Sequence, residues 1–372
     1  MNQKTQPDAA RTVITAVALY LPQFHPIPEN DEWWGKGFTE WTNVTKAKPL
    51  FRGHHQPDLP ADLGFYDLRV PEVREEQAEL ARRYGIGAFC YYHYWFGEGR
   101  RLLNRPFDEV LATGKPDFPF MLCWANETWS GVWHGVPDKT LIEQRYLGRS
   151  DEIEHFKLLL GSFHDPRYLR VFGKPVFMIY RPANIPTLRE TLAHFRQLAT
   201  DAGLPGLYLI AQHPDPYWDC EAFGFDAYVN ASGFFLRRSK WVPWSRPGTK
   251  IKNWVLEKLG RPTVIPYEKH AERIVPSAAS PLAIPCVVPG WDNTPRSGSL
   301  GLVFQGATPS RFEVQVRRAV ERINSTGAKN GFLFIKSWNE WAEGNHLEPC
   351  QRFGHGYLQA LKRALDQGSI LP

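Results

Sequence analysis

Gly331–Phe332–Leu333–Phe334–Ile335–Lys336–Ser337–Trp338–Asn339–Glu340–Trp341–Ala342–Glu343–Gly344 joins two patterns. The first five residues are an uninterrupted apolar run, the signature of a strand buried on both faces, as in a parallel sheet. Two carboxylates, Glu340 and Glu343, then follow where that strand should end, among Trp338, Asn339 and Trp341. If Glu340 opens a helical turn, the i,i+3 spacing puts both carboxylates on one face. A carboxyl that holds a proton beside one that stays charged is what acid/base attack on a sugar acetal needs. Indole rings supply flat apolar faces for the C–H side of a pyranose. The plainer alternative is a solvated helix start, with two acids near the positive end of its dipole.

The same form recurs along the chain. Val13–Tyr20 leads to Gln23 and His25, and Gly85–Tyr92 to His93 and Trp95. Pro119–Cys123 leads to Trp124, Asn126 and Glu127, and Pro175–Ile179 to Tyr180 and Arg181. Leu207–Ala211, Phe225–Val229 and Pro285–Val288 end in Gln212 with His213, in Asn230, and in Trp291 with Asp292. With Gly331–Ile335 these make eight strands. Helical patterns fall between several of them: Val70–Tyr84, Ser150–Gly161 with Ser150 as a capping residue, Thr187–Ala202, Pro309–Thr326 and Gly356–Leu365. Alternating strand and helix implies parallel βαβ units with right-handed crossovers. Eight units imply an α/β fold, a (β/α)8 TIM barrel. Its chemistry is expected at the C-terminal strand ends, beneath long βα loops. The chain reads as one catalytic domain, residues 1–372, with loop insertions at about 26–66 and 234–281. The second insertion carries Trp241, Trp244 and a basic helix-like stretch around Lys250–Lys258.

Composition narrows the function. Aromatic residues make up 14% of the chain, more than packing usually asks for, so some rings should line a cleft. A formal charge of +5, with its basic residues dispersed, gives no nucleic-acid footprint. The five cysteines are odd in number with no Cys-x-x-Cys, and read as buried free thiols of a reducing compartment. The Val13–Leu21 run lacks a cleavage site and runs into Pro22, so it reads as a first strand rather than a signal peptide. No run reaches the ~18 apolar residues of a membrane span. These features predict a cytoplasmic protein without a membrane span. No phosphate cradle, nucleophile elbow, His-Glu-x-x-His or zinc-spaced Cys/His cluster occurs, so neither cofactor nor metal is expected. Asp-x-Asp is also absent, which weighs against a metal-dependent nucleotide-sugar transferase. Nothing in the sequence fixes an oligomeric state.

Four motifs carry a resemblance. Tyr20–Leu–Pro–Gln–Phe–His–Pro–Ile–Pro–Glu–Asn–Asp–Glu–Trp–Trp34 with Gly37–Phe–Thr–Glu–Trp–Thr–Asn43 resembles the opening of the WbsX family. Phe89–Cys–Tyr–Tyr–His–Tyr–Trp–Phe96, Leu122–Cys–Trp–Ala–Asn–Glu127 and Trp338–Asn–Glu–Trp–Ala–Glu–Gly344 resemble its later motifs. That family is similar to glycoside hydrolase family 99, and the resemblance runs from about Ala16 to about Leu361, more weakly between Leu147 and Phe332. It implies a (β/α)8 enzyme that cleaves α-mannosidic linkages inside a glycan with retention, through a 1,2-anhydro sugar. It maps the base toward the sugar 2-hydroxyl onto Glu340 and the acid/base onto Glu343. Family 99 often has His where Ala342 stands, which implies a different substrate preference. The association of WbsX with polysaccharide biosynthesis keeps a glycosyltransferase or transglycosylase open, and a non-catalytic glycan-binding protein is the third reading. The expected partner is an oligosaccharide or polysaccharide. Candidate substrate contacts are Gln23, His25, Glu40, Trp41, His93, Trp95, Trp124, Asn126, Glu127, Tyr180, Trp291, Trp338, Asn339, His346 and Glu348. Each of these also has a purely structural reading.

Overall fold

The computed structural model describes residues 13–131, 140–231, 260–326 and 330–368. Eight parallel strands close on themselves: β1 Thr15–Tyr20, β2 Ile86–His93, β3 Phe120–Trp124, β4 Lys174–Ile179, β5 Tyr208–His213, β6 Ala227–Asn230, β7 Ala283–Val287 and β8 Phe332–Ile335. Each pairs with its neighbours in chain order, β8 pairs with β1, and the ring is continuous through β3 and β4. This is the (β/α)8 barrel that the eight apolar runs predict. Their residues are almost entirely buried, as strands between a packed interior and a helical layer must be.

The helices are α1 Pro28–Trp34, α2 Glu40–Lys46, α3 Pro71–Arg83, α4 Arg105–Thr113, α5 Arg149–His164, α6 Leu188–Asp201, α7 Tyr267–Ile274, α8 Thr294–Ser297, α9 Pro309–Thr326 and α10 Gly356–Gly368. Five match the helical patterns read from the sequence. One detail differs: Gly148 occupies the cap of α5, and Ser150 lies inside its first turn. The 26–66 segment carries α1 and α2, two seven-residue helices too short for a clear periodicity. Residues 232–259, which include Trp241, Trp244 and the Lys250–Lys258 stretch, lie outside the described residues. The following part of the proposed insertion forms a strand, Thr263–Pro266, paired in parallel with Leu302–Gln305, and then α7. All five cysteines are buried free thiols.

Candidate active site

β8 ends at Ile335, and the chain crosses the C-terminal face of the barrel. Asn339 fixes the crossing: its Oδ1 accepts from Leu21 N at 2.8 Å and its Nδ2 donates to Leu21 O at 3.0 Å, tying the end of β8 to the end of β1. Asn339–Glu340 then pairs antiparallel with Asn345–His346, and a single 3-10 turn, Trp341–Glu343, links them. Gly344 closes this turn at φ +56°, where a Cβ would stand 2.9 Å from the Cβ of Asp292 and 3.0 Å from its backbone nitrogen. Only glycine fits both that conformation and that approach.

The carboxylates of Glu340 and Glu343 meet on one guanidinium. Arg296 Nη2 donates to Glu340 Oε1 at 2.8 Å, and Nη1 donates to Glu343 Oε1 at 3.0 Å. The third edge, Nε, donates to Glu40 Oε2 at 3.1 Å, and Asn43 Nδ2 donates to the same oxygen. All four charged side chains are 10% exposed or less. Sequence reasoning missed Arg296. Its local signal is Asp292–Asn293–Thr294–Pro295: Asp292 Oδ1 accepts from Thr294 N and Oγ1, proline opens α8, and Arg296 follows in the first turn. Asp292 is braced in turn, since its backbone N donates to Glu343 O and its Oδ2 bonds His54 Nε2 and Gln56 Nε2.

Burial pushes the Glu340 carboxyl well above the usual carboxylate range. Arg296 opposes the rise, Glu343 and Glu40 add to it, and Lys336 opposes it too. Burial opposes the charge on Arg296, but Glu340, Glu40 and Glu343 outweigh it and raise its pKa. Lys336 is a second cation of the site. Burial would lower its pKa, yet Tyr180, Glu343 and Glu340 raise it. Its Nζ lies 5.9 Å from the ring centroid of Tyr180 and 5.3 Å from that of Trp291.

The description Glycosyltransferase WbsX matches residues 16–361, nearly the whole chain. The chain belongs to the WbsX glycosyltransferase family. The uncharacterized protein WxcX of Xanthomonas campestris pv. campestris is 40% identical over 357 residues, covering 94% of this chain and 49% of that protein. The chain thus spans about half the length of the curated relatives it matches. The GH99 endo-alpha-mannosidase from Bacteroides thetaiotaomicron is similar in fold, with a TM-score of 0.54 at 17% identity, covering 95% of this chain and 97% of that one. A glycoside hydrolase-like protein matches with a TM-score of 0.53 at 15% identity, covering 98% of this chain and 97% of that one.

In this WbsX barrel the remaining predicted residues fall into distinct places. Tyr180 and Trp291 flank Lys336 beside the glutamates. Asn126 holds the turn after β4, accepting from Arg181 N and donating to Arg181 O, and Glu127 pairs with Arg181 Nε at 2.6 Å. The Arg181 guanidinium covers the Tyr180 ring at 4.7 Å, so this pair positions Tyr180. Gln23 is half-buried beyond β1. His25 is buried, and neither ring nitrogen has a hydrogen-bond partner among the described residues. Burial lowers its pKa to about 4, and its charged neighbours are Asp67, Arg69 and Arg105 rather than the glutamates.

His93, Trp95 and Trp124 face away from the glutamates, toward α5. His93 Nε2 meets His155 Nε2 at 2.9 Å, Trp95 stacks on His155 with centroids 4.8 Å apart, and Trp124 meets it edge-on. The indole nitrogens bond Asp151 and the Trp95 carbonyl. Burial holds His93 down at about 3, a neutral imidazole in the wall. Strand alternation explains the outcome. His93 and Trp124 are register partners, so they share a face, and Tyr92 and Tyr94 take the other. Glu340 helps raise the Tyr94 pKa after burial, which marks the two as neighbours. Tyr94 meets Trp129 at 5.0 Å and Trp129 meets Trp33 at 6.2 Å, an aromatic wall continuing from the carboxylates. Gln212 Nε2 and Asn230 Oδ1, at the ends of β5 and β6, are buried with no hydrogen-bond partner among the described residues.

Trp338 is fully buried against Phe89. Trp41 stands under the turn, 5.5 Å from Trp341, with its Nε1 donating to Tyr66 O. His346 stacks on Trp341 at 3.7 Å. Glu348 accepts from Trp341 Nε1, Gln77 Nε2 and Tyr66 OH at 2.6 to 2.8 Å. Burial raises its pKa to about 7 against these three donors. Glu348 is therefore the anchor under the turn. Glu348→Ala strands three buried donors and is expected to cost about 3–5 kcal/mol in urea unfolding. A loss below about 1 kcal/mol would show that water replaces the carboxylate.

Proposed function

We propose that this protein is a glycoside hydrolase that cleaves inside a bacterial glycan, at α-mannoside-like linkages, with retention. The observation that carries the proposal is the shared guanidinium: Arg296 holds Glu340 and Glu343 together at the C-terminal mouth of a barrel. The roles follow the family 99 resemblance. Glu340 takes the proton of the sugar 2-hydroxyl, O2 attacks C1, and the C1–oxygen bond to the leaving group breaks as Glu343 protonates that oxygen. Glu343 then takes a proton from water, the water oxygen attacks C1, the C1–O2 bond opens, and Glu340 returns its proton to O2. Net configuration is retained, and no carboxylate nucleophile is required.

The electrostatics suit these roles. A raised pKa gives Glu340 more proton affinity than an ordinary carboxylate, which the group facing a hydroxyl needs. The Arg296 contact opposes that rise and so favours the ionised form the base needs. Tyr94, Trp129 and Trp33 offer stacking faces to sugar rings, and Gln212 and Asn230 offer polar atoms to hydroxyls.

Turnover of α-mannosyl fluoride and its 2-deoxy-2-fluoro analogue tests the reading. Fluoride release that needs the free 2-hydroxyl supports it, and equal release from both sugars sinks the 2-hydroxyl route. The pH profile adds a second check. Because Glu340 must be ionised and its pKa is raised, kcat/KM rises with pH along an acid limb above the ordinary ~4.3 of a glutamate. An acid limb at or below that value would remove Glu340 from the base role.

The family description favours a second reading, a glycosyltransferase. Saturable binding of a nucleotide sugar, with no hydrolysis of any glycosyl fluoride, would establish it instead.

A further inference from the structure

We propose that Asp58, His346 and Cys350 form a zinc site that ties the loop after β1 to the segment after β8. The ligand atoms of the three residues lie within 4.8 Å of one another. Sequence spacing hides the group, since Asp58 and His346 are 288 positions apart. Backbone pairing brings the segments together: Ala61 N donates to Pro349 O and Gln351 N donates to Leu59 O, each at 2.9 Å.

The hydrogen bonds of His346 fix its chemistry. Its Nδ1 lies 3.0 Å from the Glu348 carbonyl oxygen, which accepts only, so Nδ1 carries a hydrogen. A neutral His346 therefore presents a bare Nε2 lone pair, the tautomer that ligates metals, with the carbonyl and the Trp341 stack orienting the ring. That Nε2 faces Asp58 Oδ2 at 2.9 Å. Two acceptors at this distance require a cation between or beside them, either a proton or a metal. No N–H or O–H group among the described residues donates to the buried Asp58 Oδ1, and the buried Cys350 thiol lies within reach of the Asp58 carboxylate, which helps burial to raise the thiol pKa. His55 Nε2, 4.0 Å from Oδ1 on an exposed side chain, is placed to become a fourth ligand, or water takes that position. Arg352 is the other charged neighbour of Asp58, and it would compete with a metal.

One sulfur, one imidazole and one carboxylate suit zinc, whose sites mix these donors in a tetrahedron. On binding, the metal displaces both the Cys350 thiol proton and the proton shared between His346 Nε2 and Asp58 Oδ2, and both pass to solvent. One thiolate and one carboxylate then balance the dication. The remaining cysteines, Cys90, Cys123, Cys220 and Cys286, are buried elsewhere. The proposal does not depend on the glycosidase reading, because it concerns what holds the loop.

The test loads the full chain with zinc, dialyses it, and measures metal by mass spectrometry. Parallel samples are loaded with cobalt(II). The expected result is one zinc per chain, a thiolate-to-cobalt absorption band in the near ultraviolet, and a higher Tm for zinc-loaded than for chelator-stripped protein. Cys350→Ser should lose the band and at least about tenfold in affinity. Asp58→Asn, on the partly buried loop after β1, gives a second variant if Cys350→Ser does not fold. Less than about a tenth of an equivalent of zinc and no cobalt band would overturn the proposal, leaving a His346–Asp58 ion pair only. Binding undiminished in Cys350→Ser and Asp58→Asn would overturn it as well.

Discussion

Glu340→Gln is expected to lower kcat for α-mannosyl fluoride by on the order of 10²–10⁴-fold, the usual contribution of one positioned proton-transfer group. The amide keeps a similar shape and can still accept from Arg296, so the folded barrel should persist with its melting temperature little changed. Glu343→Gln should behave differently on this substrate. Fluoride leaves without needing a proton, so the first step survives, and only the water step loses its base. Rapid-quench kinetics should then show a burst of about one fluoride per active site followed by slow turnover. On an oligosaccharide, whose leaving oxygen does need a proton, the same variant should show no burst. Equal bursts from both variants on the fluoride would refute the division of roles. If neither substitution altered turnover, the carboxylate pair would be structural.

Arg296→Met should be the most damaging single change outside the carboxylates. It leaves Glu40, Glu340 and Glu343 buried around a vacated cation, and removing one partner of a buried ion pair costs about 3–5 kcal/mol. The cost should depend on pH with a definite sign. Without the guanidinium, Glu340, already raised by burial, loses the main cation that opposes the rise, so protonation relieves the fold at low pH. Stability of the variant should therefore fall as pH rises from the ordinary carboxylate range toward neutrality, relative to wild type. Urea midpoints at about pH 4.5 and pH 7 measure this. The acid limb of kcat/KM should also move to higher pH, because the cation that opposes the rise in the Glu340 pKa is gone. A stability loss independent of pH, with an unmoved acid limb, would mean that Arg296 only fills space.

The strands were legible because a parallel barrel leaves each of them buried on both faces, so all eight stood out as apolar runs. Glu340 and Glu343 were legible because a motif concentrates them at a strand end. The arginine that joins them was not, since nothing local to Trp291–Arg296 announces partners 44 and 47 positions onward. His93, Trp95 and Trp124 show a second limit. A strand end can be located from its apolar run, but alternation decides which residue of each pair faces the mouth, and a one-place slip exchanges the two. Tyr92 and Tyr94, one place along, are the ones that turn toward the site. Helices α1 and α2 were hidden for a simpler reason: seven residues span about two turns, too few for a 3.6-residue period to emerge.

The charged cluster draws Glu40 from the loop after β1, Arg296 from the loop after β7 and both remaining glutamates from the segment after β8, three neighbouring staves of one closed ring. The loops that follow β4, β5 and β6 hold none of these four charges. Under the proposed glycosidase reading, such a barrel keeps its proton chemistry on one arc of the ring. Recombining or redesigning that opposite arc should change which sugar is accepted while leaving the proton chemistry in place, which makes the scaffold a natural starting point for altered linkage preference.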